Sequence, residues 1–76
     1  MNCKKQLGMR IAYLRKLKGW SQLDLSLESG VNRNYISDLE SGRRNPSMDI
    51  LEKICNAFGI TLEFLFKGIV DTPGIN

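Results

Sequence analysis

The sequence predicts an all-α fold of five short helices around one core, and three observations carry that prediction. Apolar residues recur at helical spacing in successive short runs. Glycines 19, 30, 42, 59 and 68 fall just after those runs, where a left-handed residue commonly stops a helix. Ser21, Asn32, Ser47 and Thr61 fall just before them, and all are residue types that cap helix N-termini. Seventy-six residues suffice for a single core. One domain is expected over residues 1–68, followed by a tail, 69–76, that has no periodicity.

The first helix is expected from about Lys4 to Lys18, with Leu7, Ile11 and Leu14 on one stripe and Leu17 continuing it. Ser21 and Asp24 approximate a capping box, with aspartate standing where glutamate is usual, and open a second helix over Gln22 to Ser29. Asn32 caps a third, which runs through Asp38 to about Ser41 and turns Val31, Ile36 and Leu39 inward. Arg43, Arg44 and Asn45 form a loop, because Pro46 restricts the residue before it to extended conformations. Ser47 caps a fourth helix carrying Leu51, Ile54, Cys55 and Phe58, and Thr61 starts a fifth through Leu62, Leu65 and Phe66 to Gly68.

One stretch conflicts with this pattern. Leu23, Leu25 and Leu27 alternate with Asp24, Ser26 and Glu28, which is the period of a strand. The flanking caps and the brevity of the run favour a helix. Leu25 then lies opposite Leu23 and Leu27, so one face must be partly exposed or covered by Trp20, and packing with Trp20 is expected ahead of a partner-binding patch.

The net charge is +3, and its distribution says more than its size. Lys4, Lys5, Arg10, Arg15, Lys16 and Lys18 precede Trp20 without one acid, and Arg33, Arg43 and Arg44 follow later. Such segregation suits either a phosphate-facing surface or a plain solvated one, and charge alone leaves both open. Other classes are disfavoured. There is no histidine, no Cys-x-x-Cys and no glycine-rich phosphate loop, so neither an enzyme, a metal site nor a cofactor is expected. Cys3 and Cys55 lack the spacing of a disulfide framework, and no signal peptide or membrane span is visible; a cytoplasmic protein with no membrane partner is expected.

GWSQLDLSLESG followed by VNRNYISDLESG has helix-turn-helix spacing, with Gly30-Val31-Asn32 as the turn. A steep crossing lets the first helix lie across a DNA backbone while the second enters the major groove by its N-terminal end. From about Leu7 to Phe66 the chain resembles the XRE-type helix-turn-helix family of phage Cro and repressor proteins, which includes controllers of restriction–modification systems. The matching stretches are Ile11 to Arg15, Trp20 to Leu25, Ser29 to Val31, Tyr35 to Gly42, Arg44 to Ser47, and Leu51 to Ile54. The fold implied is a compact five-helix domain of the lambda-repressor type, and the function implied is transcription regulation on double-stranded DNA.

The resemblance also implies roles for individual residues. Gln22 matches a phosphate-contacting glutamine at a helix N-terminus. Arg33 and Asn34 match base-reading positions; arginine can pair with guanine O6 and N7, and asparagine with adenine N6 and N7. Asp38 occupies the last base-facing turn and could accept from a cytosine amino group, although phosphates repel its charge. Tyr35 and Ser37 are expected on the DNA backbone through their hydroxyls, with partial packing the alternative for Tyr35, and Arg43 and Arg44 on phosphates or a minor-groove edge; such contacts position without specifying sequence. Arg15 and Glu40 match an ion pair that ties the first helix to the end of the third. Ser26 and Cys55 stand where the family usually has alanine, and Ser41 where it often has arginine or asparagine.

One recognition helix touches few base pairs, so a homodimer is expected, with no small-molecule effector evident. Phe64, Phe66, Ile69 and Val70 crowd a terminal element too short to bury them all, which marks them as the interface. The alternative is that Phe66 and Ile69 fold back on the monomer's own core. A competing function is a protein-interaction module, such as an antitoxin or anti-repressor, built on the same fold.

Overall fold

A computed structural model describes residues 3–67. Its elements are α1 (Cys3–Leu17), α2 (Gln22–Ser29), α3 (Arg33–Glu40), α4 (Met48–Phe58) and α5 (Leu62–Phe66). The five expected helices are all present, with ends shifted by one or two residues. Ile69, Val70 and the expected tail lie outside the described residues.

Each cap acts as its residue type dictates. Ser21 Oγ accepts from Asp24 N at 3.0 Å while Ser21 N donates to the Asp24 carboxylate at 2.8 Å, closing the capping box in full. Ser47 and Thr61 accept from Ile50 N and Phe64 N in the same way. Gly30 ends α2 at φ 77°, a conformation that costs a residue with a Cβ, and its N–H reaches back to the Ser26 carbonyl at 2.8 Å.

Ile11, Leu25, Ile36, Leu39, Ile54 and Leu65 are the fully buried large side chains, contributed by every helix. Burying each contributes about 1.5–3 kcal/mol before the entropy of ordering is subtracted. α1 and α3 approach so closely at Gly8 that any Cβ there would collide with the Leu39 and Glu40 carbonyls. Gly8 is therefore a packing requirement inside a helix, where glycine otherwise costs stability.

The strand-like alternation in α2 resolves as a helix with Leu25 at 0% exposure and Leu23 and Leu27 at 49% and 73%. Trp20 does not cover the outer pair. Its indole stacks on Phe58, with ring centroids 5.9 Å apart and planes 18° from parallel, because Phe58 offers a flat apolar partner on the core. The expected packing of Leu23 and Leu27 under Trp20 is thus corrected: both leucines remain open to solvent.

Candidate nucleic-acid interface

The first and third helices are joined at one polar centre. Arg15 donates to both oxygens of Glu40, through Nε at 2.7 Å and NH2 at 2.9 Å, and its NH1 donates to the Trp20 carbonyl at 2.8 Å. Gln22 Nε2 donates to the same Glu40 Oε1 at 3.0 Å. The two charged side chains are 11% and 8% exposed, so this is a desolvated, bidentate pair rather than a surface one. Hydrogen bonding to Glu40 raises the Arg15 pKa above its ordinary value, against the opposing effect of burial. Through this centre α1, the turn before α2, the start of α2 and the end of α3 are held in register.

The turn between α2 and α3 is equally well tied. Ser26 Oγ donates to the Val31 carbonyl at 2.6 Å, and Ser29 Oγ accepts from Val31 N at 3.1 Å. A serine where alanine is usual therefore bonds the turn without keeping the helices apart. Asn32 Oδ1 then accepts from Asn34 N at 2.7 Å and Tyr35 N at 3.3 Å, which fixes the first turn of α3. Ile36 and Leu39 anchor the inner face of α3, while Arg33 and Asn34 stand exposed at its start.

Further along that outer face the side chains engage one another. Arg43 NH2 donates to Asp38 Oδ1 at 3.2 Å, and Arg44 NH2 to Asp38 Oδ2 at 3.4 Å. The Arg44 guanidinium also lies 4.3 Å from the centroid of the Tyr35 ring, a cation–π distance. Four of the expected DNA-facing residues (Tyr35, Asp38, Arg43 and Arg44) thus form one cluster, in which Asp38 is the hub. Sequence reasoning assigned them separately, because nothing in the spacing reveals that the loop after α3 folds back over it. Ser37 is half-buried on the same helix, and the exposed Ser41 donates through Oγ to the Asp38 carbonyl at 3.0 Å.

Several bases of the N-terminal run are engaged within the domain. Arg15 is committed to Glu40, and the Arg10 guanidinium lies 5.1 Å from the Phe64 ring while its NH2 donates to the Phe64 carbonyl at 3.2 Å. Lys18 Nζ sits 5.4 Å from the Trp20 ring. Arg10, Arg15 and Lys18 therefore have structural work, which their presence in the sequence does not reveal. Arg10 also ties α5 to α1, leaving Phe64 and Phe66 at 44% and 40% exposure. Cys55 is buried in the core, and burial pushes its thiol pKa up. No helix of the described residues is long and apolar enough to cross a membrane.

Comparison with known proteins agrees with this architecture. The helix-turn-helix family model matches residues 11–65. The HTH-type transcriptional regulator y4dJ of Sinorhizobium fredii, itself uncharacterized, is 36% identical over 73 residues, covering 96% of this chain and 95% of that protein. The crystal structure of the restriction–modification controller C.AhdI from Aeromonas hydrophila is 36% identical, with a TM-score of 0.80 over 83% of this chain and 96% of that one. The controller C.Esp1396I, solved as a tetramer with its natural 35-base-pair operator, is 28% identical at a TM-score of 0.81, covering 91% of each chain.

Proposed function

The chain belongs to the helix-turn-helix family of DNA-binding transcriptional regulators, which are not enzymes, and on that premise we propose how it engages DNA. It binds a near-palindromic operator as a homodimer, with the N-terminal turn of α3 in the major groove. The observation that carries this reading is the exposure of Arg33 and Asn34 at the start of a helix anchored by Ile36, Leu39 and Glu40. A rigid helix with free readers at its tip is what base discrimination requires, since an arginine or asparagine must meet two base atoms at once.

Gln22 contributes from the other helix. Its amide carries two N–H donors; one is bound to Glu40, and the other is left to donate to a backbone phosphate at the start of α2. Tyr35, Ser37, Arg43 and Arg44 flank the readers and add contacts that set register rather than sequence. Dimerisation uses the face around α5. Phe64 and Phe66 are large apolar side chains left open at the end of the domain, and the related C.Esp1396I occupies its operator as an assembly. Two-fold symmetry then sets the half-sites about 10 base pairs, or roughly 34 Å, apart.

Sedimentation of the parent and a Phe64→Glu variant, with binding to half-sites at varied spacing, tests this reading. A dimer that the substitution dissociates, together with a sharp optimum near one helical turn, is expected. A parent that stays monomeric at micromolar concentration and binds one half-site as well as two would overturn it.

A further inference from the structure

Asp38 carries the single acidic group on the outer face of the recognition helix, and it is not idle. Its two carboxylate oxygens each accept from a different arginine of the following loop, Arg43 at 3.2 Å and Arg44 at 3.4 Å. Both arginines are substantially exposed, at 65% and 46% of their side-chain surface, so solvent and ligand reach them freely. Arg44 is further oriented by the Tyr35 ring at 4.3 Å. The carboxylate therefore engages one nitrogen of each guanidinium group, a donor that a phosphate oxygen would otherwise take, since arginine binds carboxylate and phosphate through the same N–H groups.

We propose that Asp38 is an internal competitor of DNA phosphate for Arg43 and Arg44, and that it lowers affinity for non-operator DNA more than for the operator. This rests on the DNA-binding reading above. On any duplex, an arginine that turns to a phosphate leaves the Asp38 carboxylate with one donor fewer, in a strongly negative surrounding. On random sequence nothing replaces that donor. On an operator with a cytosine amino group facing this turn, the carboxylate regains one. Asp38 thus discriminates chiefly by what it penalises, as specific interfaces commonly do. Exposed pairs of this kind are individually weak, so the effect is a graded one.

The test is a salt titration of random duplex and of the operator recovered by selection, using the parent, Asp38→Asn and Asp38→Ala. Both variants should bind random duplex about three- to tenfold tighter than the parent at low salt, the fold-change expected from releasing two weak pairs. Their dependence of log affinity on log salt should steepen by about one unit, as one more phosphate is neutralised. Operator affinity should change less, so that the specificity ratio falls. An Arg43→Gln, Arg44→Gln background separates the clamp from simple repulsion: there the gain from Asp38→Asn should largely vanish. Random-duplex affinity and salt slope unchanged in both Asp38 variants, or an undiminished gain without the arginines, would overturn the proposal while leaving the DNA-binding reading intact. A parent that binds no duplex would remove that reading itself.

Discussion

Removing one partner of the Arg15–Glu40 pair should nearly unfold the domain, and the reason lies in its burial. An exposed pair would be worth at most about 1 kcal/mol. Here both side chains are close to one-tenth exposed, and the guanidinium is bidentate on the carboxylate. Glu40→Leu strands the Arg15 charge with the Trp20 carbonyl as its remaining hydrogen-bond acceptor among the described residues, and releases Gln22 as well. Stranding a buried charge costs about 3–5 kcal/mol. A domain of this length has a total stability of only about 4–11 kcal/mol, taking about 0.05–0.15 kcal/mol per residue. At about 4–8 °C per kcal/mol, the melting temperature should fall by tens of degrees. Urea denaturation of Arg15→Met, Glu40→Leu and the double variant measures the coupling directly. The double variant should be clearly more stable than the sum of the singles predicts, because it leaves no charge without a partner. Additivity within about 0.5 kcal/mol would refute the reasoning.

Gly8→Ala, normally a favourable change in a helix, should instead destabilise by about 1–3 kcal/mol through collision with the α3 carbonyls, and a raised melting temperature would contradict the close approach. Ser26→Ala should cost about 0.5–1.5 kcal/mol by leaving the Val31 carbonyl without its hydroxyl, which thermal denaturation would read; no loss would mean the bond contributes nothing. In a Cys3→Ser chain, the Cys55 thiol should react slowly with Ellman's reagent until urea is added. Because the folded Cys55 pKa is raised, its stabilising contribution is complete below the unfolded value of about 8.5 and is lost as pH rises through the folded one. The loss of stability between neutral and alkaline pH should therefore be smaller in Cys55→Ala than in Cys3→Ser alone.

Much of this molecule is legible in its residues because the local cues agree. Serine, asparagine and threonine caps, glycine stops and apolar stripes mark each helix independently, and the structure has all five. The Arg15–Glu40 contact was accessible through family resemblance, since a pair 25 residues apart leaves no periodic trace. What stayed hidden depends on chain reversal and side-chain choice. The loop after α3 returns its arginines to Asp38, and Trp20 selects Phe58 over the leucines of α2. Neither follows from spacing along the chain. The partners of individual bases stayed hidden for a similar reason: Arg15 pairs with Glu40, Arg10 bonds the Phe64 carbonyl, and Lys18 lies over the Trp20 ring. Gly8 was invisible as a contact residue because its role lies in what another helix presents to it.

The central claim is that Arg33 and Asn34 read base edges from the tip of α3. Selection of bound sequences from a random duplex pool, run in parallel with the parent, Arg33→Ala and Asn34→Ala, tests it most directly. The parent should yield a near-palindrome with half-sites about 10 base pairs apart. Each variant should lose preference at one or two positions in both half-sites, with an operator cost of about 1–3 kcal/mol and a smaller change on random DNA. Recovery of the same motif at the same affinity by both variants would contradict the account.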